Sequence, residues 1–147
     1  MAAGRRKGKL PAPSEPEAFV VLATERVKKR VAEAATPREV KDGYKEAVRA
    51  LRRSGCAAAH YRLSGPTPWP SFCALRLARG YRLVMTFPHP REVVLELLHP
   101  HTQRSDPAAV LVELFDLPPV QDLAAWRDDR DPPCCREDGS APVPETG

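Results

Sequence analysis

Apolar positions follow a period near four in the first third of the chain and a period of two further on. Residues Ala18 to Ala23 (AFVVLA) form a short apolar, β-branched run suited to a buried strand. Thr24 then offers an N-cap and Glu25 a first-turn anion, and a basic helix is expected to about Ala34, with Val27 and Val31 one turn apart. Thr36-Pro37-Arg38-Glu39 reads as a capping box with proline at N1, opening a second helix. Val40, Tyr44, Ala47, Val48 and Leu51 share one face of that helix; Lys41, Lys45, Arg49 and Arg52 lie largely off it. Gly55 is placed to end it in the left-handed conformation.

From His60 the pattern changes to strands. His60 to Leu63 is a short strand, and the proline-rich Ser64 to Pro70 a loop. Phe72 to Leu77 and Tyr81 to Phe87 form a hairpin across Ala78-Arg79-Gly80, where glycine suits the αL position of a three-residue turn. Pro88 to Arg91 turns the chain again, and Glu92 to Leu98 is the last strand. Pro107 to Asp116 reads as a short amphipathic helix led by Asp106, and Gln121 to Arg127 as a further turn. The expected fold is α+β: an N-terminal strand, a helical hairpin, an antiparallel meander and a short C-terminal helix.

Composition adds boundaries. Residues 1–16 are basic and proline-rich, and residues 128–147 acidic and proline-rich, so both read as flexible ends. Between them lie a core domain over 17–104 and a helical extension over 105–127; a core of this size buries roughly 60–70% of its unfolded surface. The net charge of +4 conceals a polarity. Residues 1–104 hold 20 Lys+Arg against 9 Asp+Glu, a net +11; residues 105–147 hold 3 against 10, a net −7. A basic body suits a polyanionic partner and an acidic tail can screen it, although solvated charge on helix faces accounts for many single lysines. No apolar run is long enough to span a bilayer and no secretory pattern opens the chain, so a cytoplasmic protein without membrane contact is expected. Cys56, Cys73, Cys134 and Cys135 show no C-x-x-C spacing and are expected as reduced thiols. A metal set of Cys134, Cys135, His99 and His101 is the alternative weighed against that; no metal or cofactor is expected.

The stretch LRLARGYRLVM, with Arg76 six residues before Arg82, and the following H-P-H at residues 99–101 carry a resemblance. Together with the order strand, helical hairpin, meander, they make residues 17–102 similar to the RelE/ParE toxin superfamily, nearest to the ribosome-associated mRNA interferases of the RelE and YoeB kind. The resemblance implies a metal-independent endoribonuclease acting on ribosome-bound mRNA and neutralised by an antitoxin protein. It also implies catalytic roles for Arg76, Arg82, His99 and His101. The chain departs from that pattern in three ways: Thr102, not an aromatic, follows His101; no catalytic Glu or lysine pair is evident in SGPTPWP; and the chain continues some 45 residues past the last strand. Those departures leave open a non-enzymatic inhibitor of a protein target such as gyrase, or an RNA- or protein-binding adaptor.

The chemistry is coherent apart from the resemblance. RNA is cut without metal when its 2′-hydroxyl attacks the neighbouring phosphate, provided a base, an acid and cations are at hand. Histidine serves the proton roles near neutrality, and arginine offers a planar, permanent fork to phosphate oxygens. Arg62, Arg79, Lys41, Lys45, Arg49 and Arg52 are candidate RNA contacts. The structural alternatives are cross-strand pairing of Arg76 and Arg82 with Glu92 or Glu96, and a polar strand end around Pro100 for His99 and His101. His60 and His89 read as surface residues beside turns. Trp69 is more suited to anchoring its proline-rich loop than to stacking on a base.

Overall fold

The computed structural model describes residues 18–102, 106–118 and 132–143. The fold is α+β, with three helices and a five-stranded mixed sheet. Its elements are β1 (Val20–Ala23), α1 (Glu25–Ala32), α2 (Arg38–Ser54), β2 (Tyr61–Arg62), β3 (Phe72–Arg76), β4 (Tyr81–His89), β5 (Glu92–Pro100) and α3 (Pro107–Phe115). Strand order is β1-β5-β4-β3-β2. β1 runs parallel to β5, and the remaining pairs are antiparallel. The further turn expected at Gln121 to Arg127 lies outside the described residues.

Alternation along the strands serves two cores. On one face Cys73, Leu75, Leu83, Met85, Phe87, Val93, Leu95 and Leu98 pack against Val27 of α1 and Val40, Ala47 and Leu51 of α2. On the other, Tyr61, Phe72, Ala74, Val84 and Leu97 pack against Trp69 and α3. Trp69 is fully buried and donates its indole N–H to the Pro118 carbonyl at 2.7 Å, so it anchors its loop.

Two helix starts differ from the sequence expectation. The Thr24 hydroxyl donates to the Leu95 carbonyl at 3.0 Å instead of capping α1. Thr36 donates to the Arg30 carbonyl at 2.6 Å, and Pro37 occupies the N-cap of α2, so no capping box forms. The Thr24 hydroxyl is thus turned toward β5 and the Thr36 hydroxyl toward the end of α1, and neither accepts from a first-turn amide. Asp106 does cap α3, accepting from Ala108 N at 2.9 Å. Gly55 ends α2 at φ 56, with the Phe19 ring so close that a Cβ would meet it at 2.5 Å.

The cysteines correct the reduced-thiol expectation. Cys56 is bonded to Cys135 and Cys73 to Cys134. Residues 132–143, expected as part of a flexible tail, are thereby tied to β3 and to the end of α2. The alternative metal set is excluded too, because its two sulfurs are consumed. Vicinal cysteines cannot readily pair with each other, but each reaches a different partner, 79 and 61 residues away. The cysteine argument for a reducing compartment therefore falls. Among the described residues no helix is long and apolar enough to cross a membrane.

Non-reduced protein should weigh about 4 Da less than reduced protein, since two cross-links remove four hydrogens. Peptide mapping should recover the 56–135 and 73–134 links. The paired change Cys56→Ala with Cys135→Ala should cost about 2–5 kcal/mol, read as a lower urea midpoint. Four titratable thiols in the folded, untreated chain would contradict the assignment.

Candidate phosphate-binding site

The site begins with register. Arg76 of β3 stands directly opposite Arg82 of β4, and Arg82 directly opposite His99 of β5. Directly opposed residues share a face, so the three side chains form one row across the sheet. At about 4.8 Å between strands the row spans roughly 10 Å. It continues the Ala74–Val84–Leu97 row, on the face that carries Trp69 and α3.

Each member of the row is held. The Arg76 guanidinium lies over the buried Tyr61 ring, 4.3 Å from its centroid. Arg82 donates from Nη1 to the Gly80 carbonyl at 3.3 Å, while its Nε is buried with no hydrogen-bond partner. Arg30 of α1 donates from Nη2 to His99 Nδ1 at 3.1 Å and from Nε to the Leu98 carbonyl at 3.2 Å. A guanidinium can only donate, so Nδ1 of His99 is an acceptor and the neutral ring carries its proton on Nε2.

His60, expected as a surface residue beside a turn, is exposed and adjoins this cluster. Its Nδ1 accepts from the Arg76 backbone N–H at 2.9 Å. Its pKa is lowered first by burial, then by Arg76 and Arg82. His99 is lowered first by burial and then by Arg30, with Asp106 pulling the other way. Both rings are therefore neutral near pH 7, with Nε2–H as donor. The signal that would have found His60 is its place one residue before a strand that pairs with β3; the length of the intervening loop hides it.

The other candidates disperse. His101 extends the β4–β5 ladder by one bond, donating its N–H to the Gly80 carbonyl at 2.8 Å, and sits just past His99. Arg79, at φ 60 in the hairpin turn, pairs with Glu39 of α2 at 2.9 Å and so is not at the rim of the row. Lys41, Lys45, Arg49 and Arg52 belong to α2, across the sheet from the row. There Arg52 counteracts the burial that raises the Tyr44 hydroxyl. Arg62 pairs in register with Cys73, which places it on the opposite face from Tyr61 and Arg76. The expected partner of the row, Glu96, bonds instead to Arg26 at 3.0 Å and to the Thr86 hydroxyl at 2.7 Å.

The strand ends thus bring two opposed arginines and two histidines into one neighbourhood of the sheet. As built, neither His60 nor His99 offers a ring lone pair to a substrate, because each Nδ1 already accepts. Among the described residues no group of three His, Cys, Asp or Glu is placed to hold a metal ion. No protein-family model, curated protein or solved structure matches this chain.

The lowered histidine pKa values set a pH dependence. As pH falls below the ordinary histidine value of 6.5, the unfolded chain takes up protons before the folded one does. Stability should be complete above that value and decline as pH falls toward the folded values. Urea midpoints measured between pH 7.5 and 5.5 should show this decline, and His60→Gln with His99→Gln should flatten it. An unchanged slope in the double variant would refute the assignment.

Proposed function

We propose that this chain is a toxin-like, RNA-directed protein that cuts ribosome-bound mRNA without metal and is neutralised by an antitoxin protein. The observation that carries the reading is the Arg76–Arg82–His99 row, a directly opposed set of phosphate-binding groups on three strands. Two arginines facing each other across strands, with a histidine beside them, supply a planar set of donors suited to an anionic ligand. The order strand, helical hairpin, antiparallel strands around this row supports the same reading.

In this mechanism Arg76 and Arg82 hold the non-bridging oxygens and steady the extra negative charge of the phosphorane. His99 and His60 donate from Nε2 to the same phosphate. The 2′-hydroxyl attacks phosphorus as its proton passes to a base, the bond to the 5′-oxygen breaks, and that oxygen takes a proton from solvent water, giving a 2′,3′-cyclic phosphate and a 5′-hydroxyl. His101, beside the open end of the row, is assigned the 2′-proton. A second reading, an RNA-binding adaptor without chemistry, draws on the occupied Nδ1 atoms of His60 and His99, which bind phosphate but cannot accept a proton while so engaged.

Toeprinting of mRNA on ribosomes should show cleavage by the wild-type chain that persists in EDTA. Arg82→Ala should lower the rate by about 100-fold or more with an unchanged circular-dichroism spectrum. His101→Gln should abolish cleavage while sparing RNA affinity. Arg82→Ala cleaving like the wild type would sink the assignment; salt-sensitive RNA binding with no cleavage would establish the adaptor.

A further inference from the structure

Away from the row, a cavity of about 140 Å³ opens between β2, the 64–71 loop and the cross-linked C-terminal segment. Arg62 and Arg136 supply its charge, Thr67 and Ser71 its hydroxyls, and prolines with Val143 its apolar walls. Among the described residues no acidic side chain lines it. Asp138, which lies near Arg136, is engaged by Ser140, accepting from its N–H at 2.9 Å and its hydroxyl at 2.6 Å.

The cavity is a product of the cross-links. Arg62 is the register partner of Cys73, and Cys73 is bonded to Cys134, two residues before Arg136. The Arg62 N–H also donates to the Pro132 carbonyl at 2.8 Å, so the C-terminal segment runs along the β2 edge. The disulfide therefore joins the residue beside one arginine to the segment carrying the other. The Cys56–Cys135 bond, one residue from Arg136, ties the same segment to the end of α2, so both cross-links set where Arg136 stands relative to Arg62.

We infer that this cavity is an anion site for a phosphate monoester, assembled by the Cys73–Cys134 cross-link. Two guanidinium forks match a dianion, and Thr67 brings a hydroxyl as a further donor, while the Ser71 hydroxyl is donated to the Pro68 carbonyl at 2.7 Å. The proline and Val143 walls receive the organic group of the ester. Opening the cross-link with a dithiol delivers two electrons and two protons to the disulfide, leaves two thiols and converts the dithiol to its own disulfide. Arg136 is then held near Arg62 by the 56–135 cross-link and the Arg62–Pro132 hydrogen bond alone, a looser placement.

The test is an amide NMR titration of the oxidised full chain with phenyl phosphate, inorganic phosphate and benzoate. Saturable shifts are expected at the Thr67, Ser71 and Val143 amides, with phenyl phosphate binding more tightly than either other probe. Arg62→Gln and Arg136→Gln should each weaken phenyl phosphate about tenfold with the remaining spectrum preserved. Cys73→Ala with Cys134→Ala, which keeps the 56–135 cross-link, should weaken phenyl phosphate about tenfold. The inference is overturned by the absence of saturable shifts at those amides, by shifts confined to the Arg82 region, or by affinity undiminished in both arginine variants. Benzoate binding as tightly as phenyl phosphate, or full binding in the cysteine variant, overturns it equally.

Discussion

β5 needs a hydrogen-bond partner for every carbonyl on both edges, and the rest of the structure is arranged around that need. β4 serves one edge along its length, with register shifts between Val84 and Met85 and between Thr86 and His89. On the other edge β1 pairs only with Glu92 to Leu95, because the chain then leaves to become α1. Side chains take over beyond that point. Thr24 bonds to the Leu95 carbonyl, Arg26 to that of Glu96 at 2.6 Å, and Arg30 to that of Leu98. The Leu95 carbonyl also accepts from the Thr24 backbone N–H, the Glu96 contact is exposed, and the half-buried Leu98 carbonyl would cost on the order of 1–3 kcal/mol without its donor. The arginines of α1 thus continue a β-ladder where the strand has run out. Arg30 then reaches one residue further and sets the tautomer of His99, so a backbone requirement also shapes the candidate site.

The sheet separates two chemistries. The helical hairpin covers one face with a continuous apolar core and leaves Lys45 and Arg49 in solvent. The other face is covered by Trp69, its loop and α3, and its apolar rows give way at one end to Arg76, Arg82 and His99. A core position replaced by opposed arginines departs from the pattern that the rest of the sheet follows. Such departures concentrate where a protein meets a ligand. The buried Tyr61 ring beneath Arg76 stiffens the arrangement, since a cation over an aromatic face is attracted to it and loses freedom.

The far edge of the sheet has a different solution. β2 is two residues long and would expose an edge prone to pairing with another chain. The C-terminal segment covers it, with Pro132 accepting from Arg62 and two disulfides fixing the segment in place. Covering an edge with the chain's own terminus also brings charged residues from distant parts of the sequence to one cavity.

What the sequence determined by itself was the set of local elements. The four-residue spacing from Val40 to Leu51, the alternation through β4 and β5, Gly55 at a helix end and Asp106 at a helix start are interactions among near neighbours. They need no knowledge of the rest of the chain, and their boundaries hold to within a few residues. The arginine spacing of six also carried real information, because a three-residue turn returns Arg82 to a position opposite Arg76. Tertiary structure decided the remainder: that His99 stands opposite Arg82 with His101 one step beyond, that His60 joins them, that Arg79 turns to Glu39, and that four thiols become two disulfides. These pairings link residues up to 79 apart. They follow from strand register and from which face each element buries, and those are properties of the assembled core rather than of any local run of residues.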